Sequence, residues 1–198
     1  MGKFAVLDCI LEQNNGFLKS CEAVAAGISR PYFREYVRRR GLKRVAHGLY
    51  MSQDAWEDGM YVIQTRYPQA VFSHETALYL LNLAEREPFR YSITLKAGTN
   101  ASGLTSQGVK VYKIRESLFY EGIAEAKSPA GQALRVYNPE RTICDLIRSR
   151  RQIEIQDIQS AFREYVQRKN KNIPLLMRYA NALSVEKTVR QYLQVLLP

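Results

Sequence analysis

Phe4, Leu7, Ile10 and Leu11 recur at helical spacing over residues 4–13, and Asn14, Asn15 and Gly16 close that helix. Phe17-Leu18 is a short extended pair. Ser20 is placed to N-cap a second helix carrying Val24, Ala25 and Ala26, which Gly27 ends. Ser29 caps a third, with Pro31 in its first turn, where the missing N–H costs nothing. That helix runs to about Arg40, and Gly41 is its natural left-handed terminator. Two short extended runs, Leu42–Ala46 and Leu49–Met51, flank a His47-Gly48 turn and read as a β-hairpin. Three helices followed by a hairpin, with a tight turn between the second and third, is the order of a winged helix-turn-helix.

Residues 53–66 read as a connecting helix containing Trp56, Met60 and Ile63, and a domain boundary is expected within 53–69. Ala70-Val71-Phe72 then predicts a strand, with Ser73 capping a helix over 75–83. Tyr91–Leu95 alternates like a strand, and the Gly, Ser, Thr and Asn of 98–108 read as a loop. Residues 109–114 alternate again, with Val109, Val111 and Lys113 on one face. A further short strand is expected within 131–137. The rest is helical. Asn138 and Pro139 start one helix with Ile143, Leu146 and Ile147 inward, and Ile158, Ala161, Phe162 and Tyr165 mark the next. Pro174 opens another with Leu176, Tyr179, Ala180 and Leu183, and Ser184 caps the last, with Val189, Tyr192, Leu193 and Leu196. The expected fold class is α+β. A winged helix-turn-helix over 1–60 precedes a mixed α/β domain over 61–198 that ends in a helical bundle.

Charge narrows the partners. The 198 residues carry 29 basic and 19 acidic side chains, a net +10, which favours a polyanion. Residues 61–198 keep 20 basic against 12 acidic. No apolar run approaches the ~20 residues needed to cross a bilayer, and the start does not resemble a signal peptide. Cys9, Cys21 and Cys144 stand too far apart for a metal motif and read as small core residues of a reducing compartment. The expected location is the cytoplasm.

The third helix and hairpin concentrate the basic residues. Arg30, Arg34, Arg38, Arg39, Arg40, Lys43 and Arg44 face a single acid, Glu35, over residues 28–47. At 100° per residue Phe33, Tyr36 and Val37 face the core, and Tyr32, Arg34, Glu35, Arg38 and Arg39 point away. A recognition helix needs such a division, because arginine can bond guanine O6 and N7 together or clamp a phosphate. The expected DNA-binding residues are Arg30, Tyr32, Arg34, Arg38 and Arg39 on the helix, with Lys43, Arg44 and His47 on the wing. Arg148, Arg150 and Arg151, and Arg168, Lys169 and Lys171, are candidates for a secondary DNA contact. Charged helix ends in solvent explain them as well.

Catalytic patterns are poor. His47 and His74 are the only histidines, so a multi-histidine metal site is excluded, and no HExxH, GxSxG, Walker A or dinucleotide fingerprint occurs. Ser73-His74-Glu75 does not converge on one atom, and His74 reads as structural. Asp145, four residues after Arg141, reads as its helix ion-pair partner. No enzyme activity, cofactor or metal is expected. A nucleic-acid-processing enzyme with a winged-helix targeting module is kept open by isolated acids such as Asp145 and Glu154. A plain transcription factor is the other alternative.

Two later phrases add a resemblance. With the N-terminal pattern, Val71-Phe72-Ser73-His74-Glu75-Thr76-Ala77-Leu78 and Val136-Tyr137-Asn138-Pro139-Glu140-Arg141-Thr142-Ile143-Cys144-Asp145-Leu146 make the chain resemble the AbiEi antitoxins of type IV, abortive-infection toxin–antitoxin systems. The resemblance runs over most of the length. It implies autorepression through promoter inverted repeats, with bending of the DNA. It also implies neutralisation of a nucleotidyltransferase-type toxin, AbiEii, without a required stable complex, by the C-terminal domain.

Overall fold

The computed structural model describes residues 2–196. They divide into two compact units: residues up to Pro68 together with Lys127–Ala133, and Gln69–Ala126 together with Leu134 onward. The division therefore falls later than residue 60, and the first unit takes in a short segment from far along the chain.

Among the described residues the first unit runs α1 (Lys3–Gln13), β1 (Phe17–Lys19), α2 (Ser20–Ala25), α3 (Arg30–Arg40), β2 (Lys43–Ala46), β3 (Leu49–Met51) and α4 (Gly59–Arg66). The strands form an antiparallel sheet in the order β1-β3-β2, pairing Phe17 with Met51 and Arg44 with Tyr50. Leu7, Leu18, Ala23, Ile28, Phe33, Tyr36 and Leu42 make the core between helices and sheet. Helix α3 ends as its sequence predicts. Gly41 sits at φ +64°, and the Leu42 N–H returns to the Val37 carbonyl at 3.0 Å. A side chain at Gly41 would strain that backbone and meet the Gln53 amide at 2.9 Å. The Ser29 hydroxyl makes no capping bond, so Pro31 and the buried Phe33 and Tyr36 define the start of α3 instead.

The expected helix over 53–66 is half as long. Residues 53–58 are turn and bend, Trp56 is 84% exposed, and α4 starts only after Asp58, whose carboxylate accepts from the Tyr61 N–H. The second carboxylate oxygen of Asp58 takes the Ser128 hydroxyl at 2.5 Å. Gln132 donates to the Asn14 carbonyl at 2.7 Å, and Asn15 to that of Ala130 at 3.2 Å. These bonds fasten residues 127–133 into the first unit.

The second unit contains β4 (Val71–Phe72), α5 (His74–Leu80), β5 (Ser92–Lys96), α6 (Ser102–Thr105), β6 (Lys110–Ile114), α7 (Glu116–Phe119), β7 (Ile123–Lys127) and β8 (Ala133–Tyr137). Helices α8 (Pro139–Arg148), α9 (Ile155–Gln167), α10 (Ile173–Ala182) and α11 (Glu186–Leu196) follow. The sheet order is β6-β5-β4-β8-β7. β4 runs antiparallel to β5 and parallel to β8, and β5 runs parallel to β6, so the sheet is mixed and the class is α+β. The buried residue of β6 is Ile114, on the face shared with Lys110 and Tyr112; Lys113 is exposed, opposite to the expected alternation.

Helix α8 is the axis of this unit. Asn138 caps it by accepting the Arg141 N–H at 2.9 Å, Pro139 occupies its first turn, and every residue from Glu140 to Ile147 is buried. Its apolar side chains pack with Phe162, Tyr165, Leu176 and Val189 of the three later helices. Asn172 caps α10 in the same way. Ser184 does not cap α11. It sits at φ +58° as the left-handed residue after α10, with the Val185 N–H returning to the Ala180 carbonyl at 2.8 Å.

The cysteines are all free, but only Cys144 is buried; Cys21 is exposed rather than part of a core. Among the described residues no helix is long and apolar enough to cross a membrane.

Candidate nucleic-acid interface

The open face of α3 is built by periodicity. Phe33 and Tyr36 are buried and Val37 half-buried, so the opposite arc carries Arg30, Arg34 and Arg38, spaced four residues apart and all exposed. Among the described residues Arg30 and Arg34 have no carboxylate within ion-pair distance. Arg38 does. It donates to both oxygens of Glu35 at 2.9 and 2.7 Å, and Arg39 donates to the same carboxylate at 2.7 Å. Hydrogen bonds from the two guanidiniums hold the Glu35 carboxyl below its ordinary range. One acid thus holds two of the expected contact residues, a restraint that charge counting along the helix missed.

Tyr32 is placed differently from the sequence reading. It is half-buried, its ring 5.2 Å from that of Phe4 in an edge contact with α1, so it belongs to the core margin and not to the open arc. Arg39 leans the same way, 5.7 Å over the Phe4 ring. Arg40 turns inward. With Tyr36, whose hydroxyl donates to Asp8 at 2.7 Å, it ties α3 to α1 through that one carboxylate.

The hairpin presents Lys43, Arg44 and His47, all exposed. Lys43 faces Glu57 at 3.4 Å, and Arg44 donates to the Ala46 carbonyl at 3.3 Å, where the pairing with β3 is irregular. Among the described residues, Arg30, Arg34, Arg44 and His47 are therefore the exposed expected contact residues that no acid engages.

In the second unit the secondary candidates separate into two kinds. Arg168 is structural. Its guanidinium donates to the carbonyls of Leu81 and Asn82, the latter at 2.8 Å, satisfying the C-terminal end of α5. Lys171 donates to the Arg168 carbonyl at 3.3 Å, and Lys169 is exposed. Arg148, Arg150 and Arg151 remain open to solvent at the end of α8.

His74 is the residue whose surroundings sequence reasoning missed. It is 2% exposed and sits at φ +51°, a left-handed conformation rare for histidine. Its ring stacks on Tyr112 at 3.4 Å between centroids and 11° between planes. Nδ1 lies 2.9 Å from the Ser73 hydroxyl and Nε2 3.0 Å from that of Ser149. Ser73 consequently makes no helix cap. Its oxygen accepts from Thr94 at 2.9 Å instead. Burial, then the positive charges of Lys110, Arg141 and Arg148, hold His74 well below its ordinary pKa of 6.5, so the ring is neutral.

An unfolded His74 takes a proton near pH 6.5 that the folded one refuses. Its contribution to stability is therefore present above that pH and is lost as the pH falls. Asp145 works in the opposite sense. Burial pushes its carboxyl up to about 6 despite Arg141, so its contribution falls as the pH rises through that value. Comparing the native chain with His74→Asn separates the two, because Asn tolerates the left-handed backbone. The difference between their urea midpoints should shrink from pH 7.5 to pH 5, whereas an unchanged difference would mean that His74 does not titrate differently on unfolding.

Among the described residues no group of three His, Cys, Asp or Glu is placed to hold a metal ion. The RV2827C protein from Mycobacterium tuberculosis, known from a crystal structure, is similar to this chain at a TM-score of 0.52 and 14% identity, over 98% of this chain and 82% of that one. At that identity the likeness shows the fold alone. No protein-family model and no curated protein matches the sequence.

Proposed function

We propose that the protein is a non-catalytic, sequence-specific binder of double-stranded DNA whose first unit is a winged helix-turn-helix, with α3 in the major groove and the β2–β3 hairpin on the backbone. The observation that carries this reading is the exposed row Arg30, Arg34 and Arg38, two of whose members no carboxylate engages. It is supported by the order α1-β1-α2-α3-β2-β3 and by the exposed Arg44 and His47 beside a Gly48 turn at φ +71°. Following the resemblance of the two later phrases, we further propose that it is an AbiEi-type autorepressor and antitoxin. In that reading it acts in the cytoplasm on promoter inverted repeats and protects against a nucleotidyltransferase-like toxin.

The test is footprinting of the purified full chain on the duplex upstream of its own reading frame. Protection of an inverted repeat, weakening with salt, is expected; equal affinity for a scrambled duplex overturns specific binding. Co-expression with an adjacent nucleotidyltransferase-like gene tests the antitoxin role, and unrelieved toxicity overturns it.

Glu35 supplies an independent check. Glu35→Gln frees Arg38 and Arg39 and removes a negative charge from the DNA-facing surface. Binding to any duplex should tighten at low salt. Each further phosphate engaged should steepen the fall of log affinity with log salt by about 0.9. Weaker binding would mean that Glu35 holds the two arginines in their working positions.

A further inference from the structure

The second unit contains a cavity of about 410 Å³ at the C-terminal end of α8, a size that suits a small molecule. Its lining includes Lys113 from β6 and Arg148, Arg150 and Arg151 from the end of α8 and the following turn. All four are exposed, and among the described residues none has an ion-pair partner. The acid in the lining is Asp145, already engaged by Arg141 at 3.0 Å. The carbonyl ends of α8 carry the opposite sign, but Arg150 covers one by donating to the Ile147 oxygen at 3.2 Å.

Behind these cations a polar chain runs through His74. Thr94 donates to the Ser73 hydroxyl oxygen. The same Ser73 oxygen lies 2.9 Å from His74 Nδ1. Nε2 lies 3.0 Å from Ser149 Oγ, so the ring links the two serine hydroxyls. Ser149, His74 and Thr94 all line the cavity. The lining is thus rich in donors and cations and poor in free acceptors, which suits an oxyanion. His74 has a left-handed backbone, and its ring lies flat on Tyr112 at this site.

We propose that this cavity binds a phosphate group carried on a small molecule of up to nucleotide size. Arg148, Arg151 and Lys113 supply charge, and Ser149, held against His74, supplies a hydroxyl. A phosphomonoester fits better than a strand of duplex DNA, because the donors lie inside a concavity and not along a convex ridge like that of α3. The lining residues all belong to the second unit, and the proposal does not rest on the DNA-binding reading of the first.

The test titrates the full chain calorimetrically with AMP, GMP, CMP and UMP, with the matching nucleosides, with inorganic phosphate and with a blunt duplex. Thermal melts run alongside, since a ligand of the folded state raises the melting temperature. At least one nucleotide should bind, its nucleoside should not, and inorganic phosphate should compete at higher concentration. Arg148→Ala with Arg151→Ala should weaken binding at least tenfold without lowering the melting temperature of the free protein. Ser149→Ala should weaken it less, and Arg30→Ala with Arg34→Ala should leave it unchanged. The proposal is overturned if the native chain binds no nucleotide more tightly than about 1 mM. It is also overturned if a nucleoside binds as well as its monophosphate, if the double arginine variant binds normally, or if duplex DNA is the one probe that binds.

Discussion

Replacing Arg30 and Arg34 together by alanine will abolish high-affinity binding to the chain's own promoter and leave the protein folded. The two side chains project from successive turns of the exposed face of α3, about 6 Å apart along its axis. That spacing keeps both within a major groove about 12 Å wide. An arginine that grips a guanine is worth about 1–3 kcal/mol, so the pair should cost roughly 30-fold to 10⁴-fold, with some departure from additivity because they are neighbours. Neither residue is buried or ion-paired, and an exposed substitution of this kind usually moves stability by less than about 0.5 kcal/mol. Gel-shift titrations on the operator and on a scrambled duplex give the outcome. A larger loss on the operator assigns the pair to base contacts. Equal losses would assign it to phosphates, and no loss on either would remove α3 from the interface.

The largest effect on stability should come from Arg141→Met. The Arg141 side chain is 1% exposed and its partner Asp145 is 4% exposed, in an ion pair of 3.0 Å on the fully buried helix α8. Besides Asp145 it serves the carbonyls of Leu118 and Glu121 at 2.7 and 2.8 Å, and it lies 4.3 Å over the Tyr137 ring. Methionine removes all of these and leaves a buried carboxyl alone. Breaking one side of such a pair costs about 3–5 kcal/mol, a large share of the ~5–15 kcal/mol that holds a domain folded. Urea denaturation should show that loss as a lower midpoint. Adding Asp145→Leu should recover part of it by removing the stranded acid. A loss under about 1 kcal/mol for Arg141→Met would mean that water reaches the site and screens the pair.

The parts of the fold that were legible in the sequence are those set by local chemistry. Gly41 ends α3 because its backbone conformation is one that glycine adopts freely, and Asn138-Pro139 starts α8 because the amide side chain and the missing N–H both suit a first turn. The misreadings arise where distant residues decide. Ser73 has the composition of a cap but is taken by Thr94, 21 residues away, and by His74. Arg168 has the look of a free charge but satisfies carbonyls 86 and 87 residues distant. At the candidate interface the division of α3 into apolar and basic faces followed from periodicity alone. The capture of Arg38 and Arg39 by Glu35, and the seating of Tyr32 on Phe4, depend on rotamers and on α1, which periodicity does not report.

The segment Lys127–Ala133 gives the first unit a dependence on the order of synthesis. Its bonds to Asn14, Asn15 and Asp58 form only after the ribosome has added some 65 residues beyond Pro68. At roughly 5–20 residues per second that is a wait of about 3–13 s. During it the Asn14 carbonyl and the side chains of Asn15 and Asp58 remain without these partners. A nascent chain stalled anywhere before residue 127 therefore lacks the segment that completes the first unit, and completion of the body that carries Arg30 and Arg34 is coupled to translation through residue 133.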